Sequence, residues 1–149
     1  MAQRRKGEKP PPRSEIMSRI RGVDTKPEMI VRKGLHARGL RYRLHRRDLP
    51  GTPDLVFPAK KAVVMVNGCF WHGHEGCAYF RLPKTNVAFW QDKIEKNRQR
   101  DCKNITALET SGWKVITVWE CSCRDQSERE ISDFLDALAE ELKSLSTDE

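Results

Sequence analysis

The chain lacks several things a protein of 149 residues often has. No window approaches the roughly 18 consecutive apolar residues of a membrane span. The opening Met1-Ala2-Gln3-Arg4-Arg5-Lys6 leads into no apolar signal core. The cysteines number five, an odd count that does not suggest a disulfide framework. No internal repeat is found. These absences argue against a spanning, secreted or repeat protein and predict a cytoplasmic one. In a reducing compartment, metal binding explains the cysteines better than cross-links. Acid is also in short supply, with Lys+Arg 28 against Asp+Glu 21 and a formal net charge of +7. Such a balance favours a polyanionic partner, nucleic acid first and an anionic membrane surface second. The excess is uneven: residues 1–61 are strongly basic, whereas 131–149 are mostly acidic.

Residues 1–13, rich in Lys, Arg and Gly with the run Pro10-Pro11-Pro12, cannot pack and are expected to form a disordered basic arm. Residues 14–149 are expected to fold as one domain. Within it, 14–21 is weakly helical. Thr25-Lys26-Pro27-Glu28 starts a firmer helix, because Thr25 can cap it, Pro27 suits the first turn and Glu28 completes a capping box. Ile30, Val31, Leu35 and Ala37 give that helix its apolar side, and Gly39 closes it. Short strands are predicted over 41–44 and 55–57, around the turn Pro50-Gly51-Thr52-Pro53. The uninterrupted β-branched run 62–66 reads as a central strand buried on both faces. Helical spacing over 87–108, a strand over 113–119 and a capped final helix carrying Ile131, Phe134, Leu135, Leu138 and Leu142 on one face complete the chain. The order predicts an α/β fold, a central mixed sheet flanked by helices.

The loop after the central strand holds most of the chemistry. Cys69, His74 and Cys77 have C-x4-H-x2-C spacing, which suits three corners of a tetrahedral zinc site. Cys121, just past the last strand, is the best fourth ligand. With all four positions filled by protein, such a zinc is structural. His72 is left over, and a spare imidazole beside a braced loop is a natural general acid or base. Phe70 and Trp71 read either as core or as wedges inserted between base steps. Asp54, between a turn and a strand, is where many Mg²⁺-dependent nucleases keep a carboxylate, though an Asp after Pro is also ordinary turn chemistry. The usual acid and lysine of the next strand are missing, since it reads Val64-Met65-Val66-Asn67. If Mg²⁺ binds, one ligand must be main chain and the base must be something other than lysine. Lys93 and Asn97, four apart, share one face of a cationic helix. Arg41, Arg43, Arg46 and Arg47 look like phosphate contacts.

Taken in order, Pro50-Gly51-Thr52-Pro53-Asp54, then Asn67-Gly68-Cys69-Phe70-Trp71-His72-Gly73-His74, then Phe89-Trp90-x-x-Lys93-Ile94-x-x-Asn97-x-x-Arg100-Asp101, then Val118-Trp119-Glu120-Cys121 resemble the very-short-patch repair (Vsr) endonucleases. The resemblance implies a restriction-endonuclease-like fold with a structural zinc. It implies an enzyme that uses Mg²⁺ to nick duplex DNA 5′ to the thymine of a T:G mismatch left by deamination of 5-methylcytosine. It places Asp54 and the main-chain carbonyl of Val66 on Mg²⁺, Glu28 near the metal-bound waters, and His72 beside the attacking water. Cys69, His74, Cys77 and Cys121 match the zinc ligands. Phe70 and Trp71 match the intercalating aromatics, Met17 the wedge from the other groove, and Lys93 and Asn97 the positions that read the mismatch and its flanks. A monomer is the default expectation, and a MutL-type repair protein is a conceivable partner.

This sequence departs from the family pattern twice. Asn67 stands where the best-known members carry a second catalytic histidine. An amide carries no proton at neutral pH, so either His72 does the acid–base work alone or activity falls. Glu75-Gly76 also makes the gap between His74 and Cys77 one residue longer than in some relatives. The rival readings are a restriction-type nuclease with another target and a zinc-stabilised DNA-binding module without catalysis.

Overall fold

The structure is a computed structural model that describes residues 25–145. Met17, the arm 1–13 and the segment 14–21 lie outside the described residues. The described elements run α1 (Lys26–Ala37), β1 (Arg43–Leu44), β2 (Leu55–Phe57), β3 (Ala62–Asn67), α2 (Val87–Thr110), β4 (Lys114–Trp119) and α3 (Glu128–Ser144). The strands form one mixed sheet in the order β1-β2-β3-β4. β1, β2 and β3 pair antiparallel, while β3 and β4 pair parallel. The parallel pair requires a long crossover, which α2 supplies.

Side-chain alternation divides the core in two. Leu55, Phe57, Ala62 and Val64 point to one face, where Val31 and Leu35 of α1 and Leu138, Ala139 and Leu142 of α3 cover them. Val56, Val63 and Met65 point to the other, where they meet Leu108 of α2 with Ile105 and Trp113 beside it. β3 is therefore covered on both sides, as its unbroken apolar run predicts, and nearly every residue in it is buried. α1 and α3 pack closely because Gly34 has no side chain; a Cβ there would collide with Leu135 Cδ1.

The helix caps form as predicted. The Glu28 N–H donates to Thr25 Oγ1 at 3.4 Å, and the Glu130 N–H donates to Ser127 Oγ at 3.1 Å. Two expectations need correcting. The first strand shrinks from four residues to Arg43–Leu44, because only these two pair with β2. Ala37, in the last turn of α1, is exposed rather than part of its apolar side. No helix among the described residues is long and apolar enough to cross a membrane.

Candidate functional site

Three groups of side chains gather where β3 and β4 end. Asn67 pairs with Trp119 in the parallel register, so both strands stop at the same level. Cys69 follows one strand end by two residues and Cys121 follows the other by two. This symmetry brings a residue from the far end of the chain to the loop. Cys69, His74, Cys77 and Cys121 offer ligand atoms that all lie within 4.8 Å of one another. His74 Nδ1 is 3.6 Å from Cys121 Sγ. Bonds of about 2.0–2.3 Å to a tetrahedral zinc put ligand atoms about 3.3–3.8 Å apart, so the set fits such an ion. The imidazole is oriented by stacking on Trp119, with centroids 4.1 Å apart and planes 5° from parallel. Burial, joined by the neighbouring Cys121 and Cys77 thiols, pushes the Cys69 thiol up to about 12. Thiols crowded in this way resist becoming thiolates together unless a cation offsets their charge.

The second group was only partly legible in sequence. Glu28 of α1, His45 after β1 and Asp54 before β2 place one ligand atom each within 4.8 Å of the others. Glu28 is 1% exposed, and its two carboxylate oxygens lie 3.1 and 3.2 Å from His45 Nε2. Arg32 Nη1 also donates to Glu28 Oε2 at 3.2 Å. Asp54 Oδ2 accepts the Val66 N–H at 2.7 Å. The ladder cannot continue there, because Pro53 stands next on the β2 side of β3. Burial, reinforced by the facing Glu28 carboxylate, raises the Asp54 pKa to about 7 even though the Val66 N–H opposes the shift. The buried Glu28 carboxyl and the half-buried Asp54 carboxyl, with His45, could together hold a metal ion.

The third group is a dyad. The His72 Nδ1–H donates to Asp101 Oδ2 at 2.5 Å, which leaves Nε2 as the nitrogen not engaged by Asp101. His72, Asp101 and Asn67 line one cleft of about 370 Å³ with Thr117 and Trp119. Val66 and Asn67 are consecutive on β3, so they join the second group to the third: the N–H of one holds Asp54, and the side chain of the other lines the cleft. Sequence reasoning gave neither His45 nor Asp101 a role. Asp101 left a signal, because Lys93, Asn97 and Asp101 recur every four residues and so share one face of α2.

That face braces the loop. Asn97 Nδ2 donates to the Trp71 carbonyl at 2.8 Å, and Arg98 Nε donates to the Gly73 carbonyl at 3.0 Å. Gly73, at φ +62°, lies so close to α2 that a Cβ would collide with Arg98 and Ile94. Asn97 thus has a structural duty in addition to any contact with DNA. Phe70 and Trp71 are half-buried, edge-on to each other at 5.1 Å and backed by Trp90 of α2 at 5.4 and 5.9 Å. The rings pack inward on Trp90 yet are only half-buried at the loop surface. Phe89, 53% exposed, flanks Trp90 at 5.2 Å. Of the four arginines noted, Arg41 donates to the His36 carbonyl at 3.1 Å and Arg46 forks onto Asp48 at 3.0 and 2.6 Å. Arg43 and Arg47 are exposed.

The sequence is similar to that of known proteins. The family model described as DNA mismatch endonuclease Vsr matches residues 8–78. The chain is 50% identical over 116 residues to the Type II nicking enzyme V.XorIIP of Xanthomonas oryzae pv. oryzae, covering 78% of this chain and 85% of that protein. It is 45% identical over 132 residues to the Type II nicking enzyme V.NmeAIP of Neisseria meningitidis, covering 85% and 94%. Against the DNA mismatch endonuclease Vsr of Escherichia coli it is 41% identical over 112 residues, covering 75% and 71%. This chain belongs to the Vsr family of DNA mismatch endonucleases.

Proposed function

We propose that this endonuclease nicks duplex DNA 5′ to the thymine of a T:G mismatch by Mg²⁺-dependent hydrolysis of one phosphodiester bond. The observation that carries the reading is the meeting, across Val66 and Asn67, of the Glu28–Asp54 carboxyl pair with a histidine–aspartate dyad. The restriction-endonuclease-like fold named above accords with the mixed four-stranded sheet. Asp54 and Glu28 would hold the cation with the Val66 carbonyl. A strand residue directs its N–H and C=O to the same side, and the Val66 N–H already points at Asp54. When bound, Mg²⁺ supplies Lewis-acid polarisation of the scissile phosphate.

The protein's own residues do the rest. Asp101 fixes the tautomer of His72, so Nε2 accepts the proton of the attacking water. Asn67 faces the same cleft and can hydrogen-bond a phosphate or water, leaving the proton work there to His72. Phe70 and Trp71, held from behind by Trp90, act as a wedge beside the mismatch. A weakly stacked T:G pair costs less to open than a sound pair, so selectivity follows from the energy of deformation. Met17, outside the described residues, would enter from the opposite groove. Lys93 and Asn97 would read the mismatch and its flanks. The zinc at Cys69, His74, Cys77 and Cys121 would be structural, keeping His72 and the aromatic pair in place. The protein would act as a monomer in the cytoplasm, associated with the nucleoid when on DNA, and a MutL-type protein is a partner to test.

The test is nicking of a labelled duplex with one T:G mismatch, beside its C:G counterpart, with and without Mg²⁺. A Mg²⁺-dependent nick 5′ to the mismatched thymine, absent from C:G, is expected. Cutting of both duplexes would instead indicate a restriction-type nuclease. Mismatch binding without cutting, in every flank tried, would leave a DNA-binding module, with Asn67 as the reason. A second expectation concerns the dyad. Asp101→Asn should lower kcat by about 10²–10⁴ and leave duplex binding unchanged, as expected when an imidazole loses its orienting carboxylate. An unchanged kcat would remove Asp101 as the group that orients His72.

A further inference from the structure

We propose that His45 is a direct ligand of the cation at Glu28 and Asp54, making this a mixed carboxylate–imidazole site that selects Mn²⁺ over Mg²⁺. The inference rests on the proposed function only in taking this cation as the one that serves cleavage.

Three separate elements deliver the donors. Glu28 comes from the first turn of α1, His45 from the segment after β1, and Asp54 from the residue before β2. Their ligand atoms nevertheless lie within 4.8 Å of one another. Nothing in local sequence spacing requires that convergence, since Glu28 and His45 are 17 positions apart. His45 Nε2 faces both oxygens of a carboxylate that is 1% exposed, so the imidazole lies against the buried acid rather than in solvent.

The backbone holds His45 in that place. Its φ is +45°, a left-handed conformation that non-glycine residues seldom adopt. Its own N–H donates to the Asp54 carbonyl at 3.2 Å, which ties the imidazole-bearing residue to the carboxylate-bearing one. A backbone kept in a sparsely populated region by its surroundings is common at ligand-binding sites. Here the strained residue is the one that supplies the only nitrogen donor of the set.

Donor chemistry then predicts selectivity. Mg²⁺ demands hard oxygen ligands and near-octahedral geometry and keeps most of its waters. An imidazole nitrogen adds little to Mg²⁺ affinity but strengthens binding of first-row transition ions, and Mn²⁺ is the one whose preference for carboxylate and water lies nearest that of Mg²⁺. The cysteine-and-histidine cluster beyond β3 is softer, so a single equivalent of zinc is expected to fill it first.

The test uses the full, zinc-loaded chain without DNA. Bound and free Mn²⁺ are counted from the electron paramagnetic resonance signal, and Mg²⁺ is titrated as competitor. One Mn²⁺ should bind about tenfold or more tightly than Mg²⁺. His45→Asn, a residue that tolerates the left-handed backbone but does not reach the carboxylates, should cut the Mn²⁺/Mg²⁺ ratio by about tenfold while Mg²⁺ affinity changes by less than about threefold. Asp54→Asn should lose both ions, which separates this site from the thiol cluster. Glu28→Gln should weaken both ions without narrowing their ratio, giving a second reading should His45→Asn fold poorly. An unchanged ratio in His45→Asn, or no Mn²⁺ binding by the unsubstituted chain, would overturn the proposal and leave His45 as a hydrogen-bond partner of Glu28. Because binding is read without cleavage, a chain that holds Mn²⁺ through His45 yet never nicks a T:G duplex would overturn the proposed function alone.

Discussion

Cys121→Ala is expected to lose the zinc and, with it, the loop that carries His72. Metal emission analysis should fall from one zinc per chain to well below that. The loss in unfolding free energy should reach about 4–5 kcal/mol or more, the class of effect that includes loss of a structural metal. The physical reason is the register. β3 and β4 end together at Asn67 and Trp119, and beyond them Cys121 is the proposed ligand that would tie the β4 side to the loop. Without it the loop keeps its contacts with Asn97 and Arg98 but no longer has an anchor on the β4 side. Two controls sharpen the result. Cys102→Ala, at an exposed position on α2, should change neither zinc nor melting temperature. Cys123→Ala, within the core beside α3, should cost some stability and keep the zinc. Full zinc occupancy in Cys121→Ala would show that the fourth ligand lies elsewhere.

The second large effect joins stability to activity with opposite signs. Asp54→Asn should abolish nicking, by about a thousandfold or more, if several kcal/mol of charge stabilisation depend on the cation it holds. The same substitution should stabilise the zinc-loaded, Mg²⁺-free chain at pH 8. The folded-state pKa of Asp54 is about 7, above its ordinary 3.8. Below pH 3.8 the group is protonated folded or unfolded, so it exerts no penalty. Between these values only the unfolded chain ionises, and stability falls as pH rises. Above pH 7 the penalty is complete, at about 4 kcal/mol from 1.36 kcal/mol per pKa unit. Asparagine carries no such penalty and keeps an acceptor for the Val66 N–H, so a gain of about 2–4 kcal/mol is expected at pH 8 and almost none near pH 4. Denaturant melts at the two pH values measure it. Equal effects at both would show that Asp54 is not the strained group. Added Mg²⁺ should raise the stability of the unsubstituted chain at pH 8 and leave that of Asp54→Asn unchanged.

Much of this site could be read from residue order, and the part that could not has a common cause. Cys69, His74 and Cys77 lie within nine residues, so their spacing alone suggested a metal. Cys121 followed because it sits just past a recognisable strand. The buried run of β3, the caps at Thr25 and Ser127, and the apolar face of α3 obey local rules of period and hydrogen bonding. His45 and Asp101 obey none. Each acquires its meaning from a partner 17 or 29 positions away, through the way the sheet and helices pack. His45 was further concealed by its setting, a basic stretch around a two-residue strand with no usable periodicity. Glu28 was legible as a helix-start residue, and local pattern gave no hint that its carboxylate turns inward towards His45 and Asp54.

The parallel pairing of β3 with β4 also sets a clock on the molecule. Every residue assigned here to hold the cation or move the proton, from Glu28 to Asp101, leaves the ribosome before β4 does. At ordinary rates of synthesis the stretch from Cys69 to Cys121 takes about 3–10 s to make. During that interval the sheet lacks the strand that covers the far edge of β3, and the thiol cluster lacks its last ligand. A nascent or prematurely terminated chain therefore holds these groups without the strand and the Cys121 thiol that complete their surroundings. The sheet is complete only once β4, the strand beside β3, has been delivered.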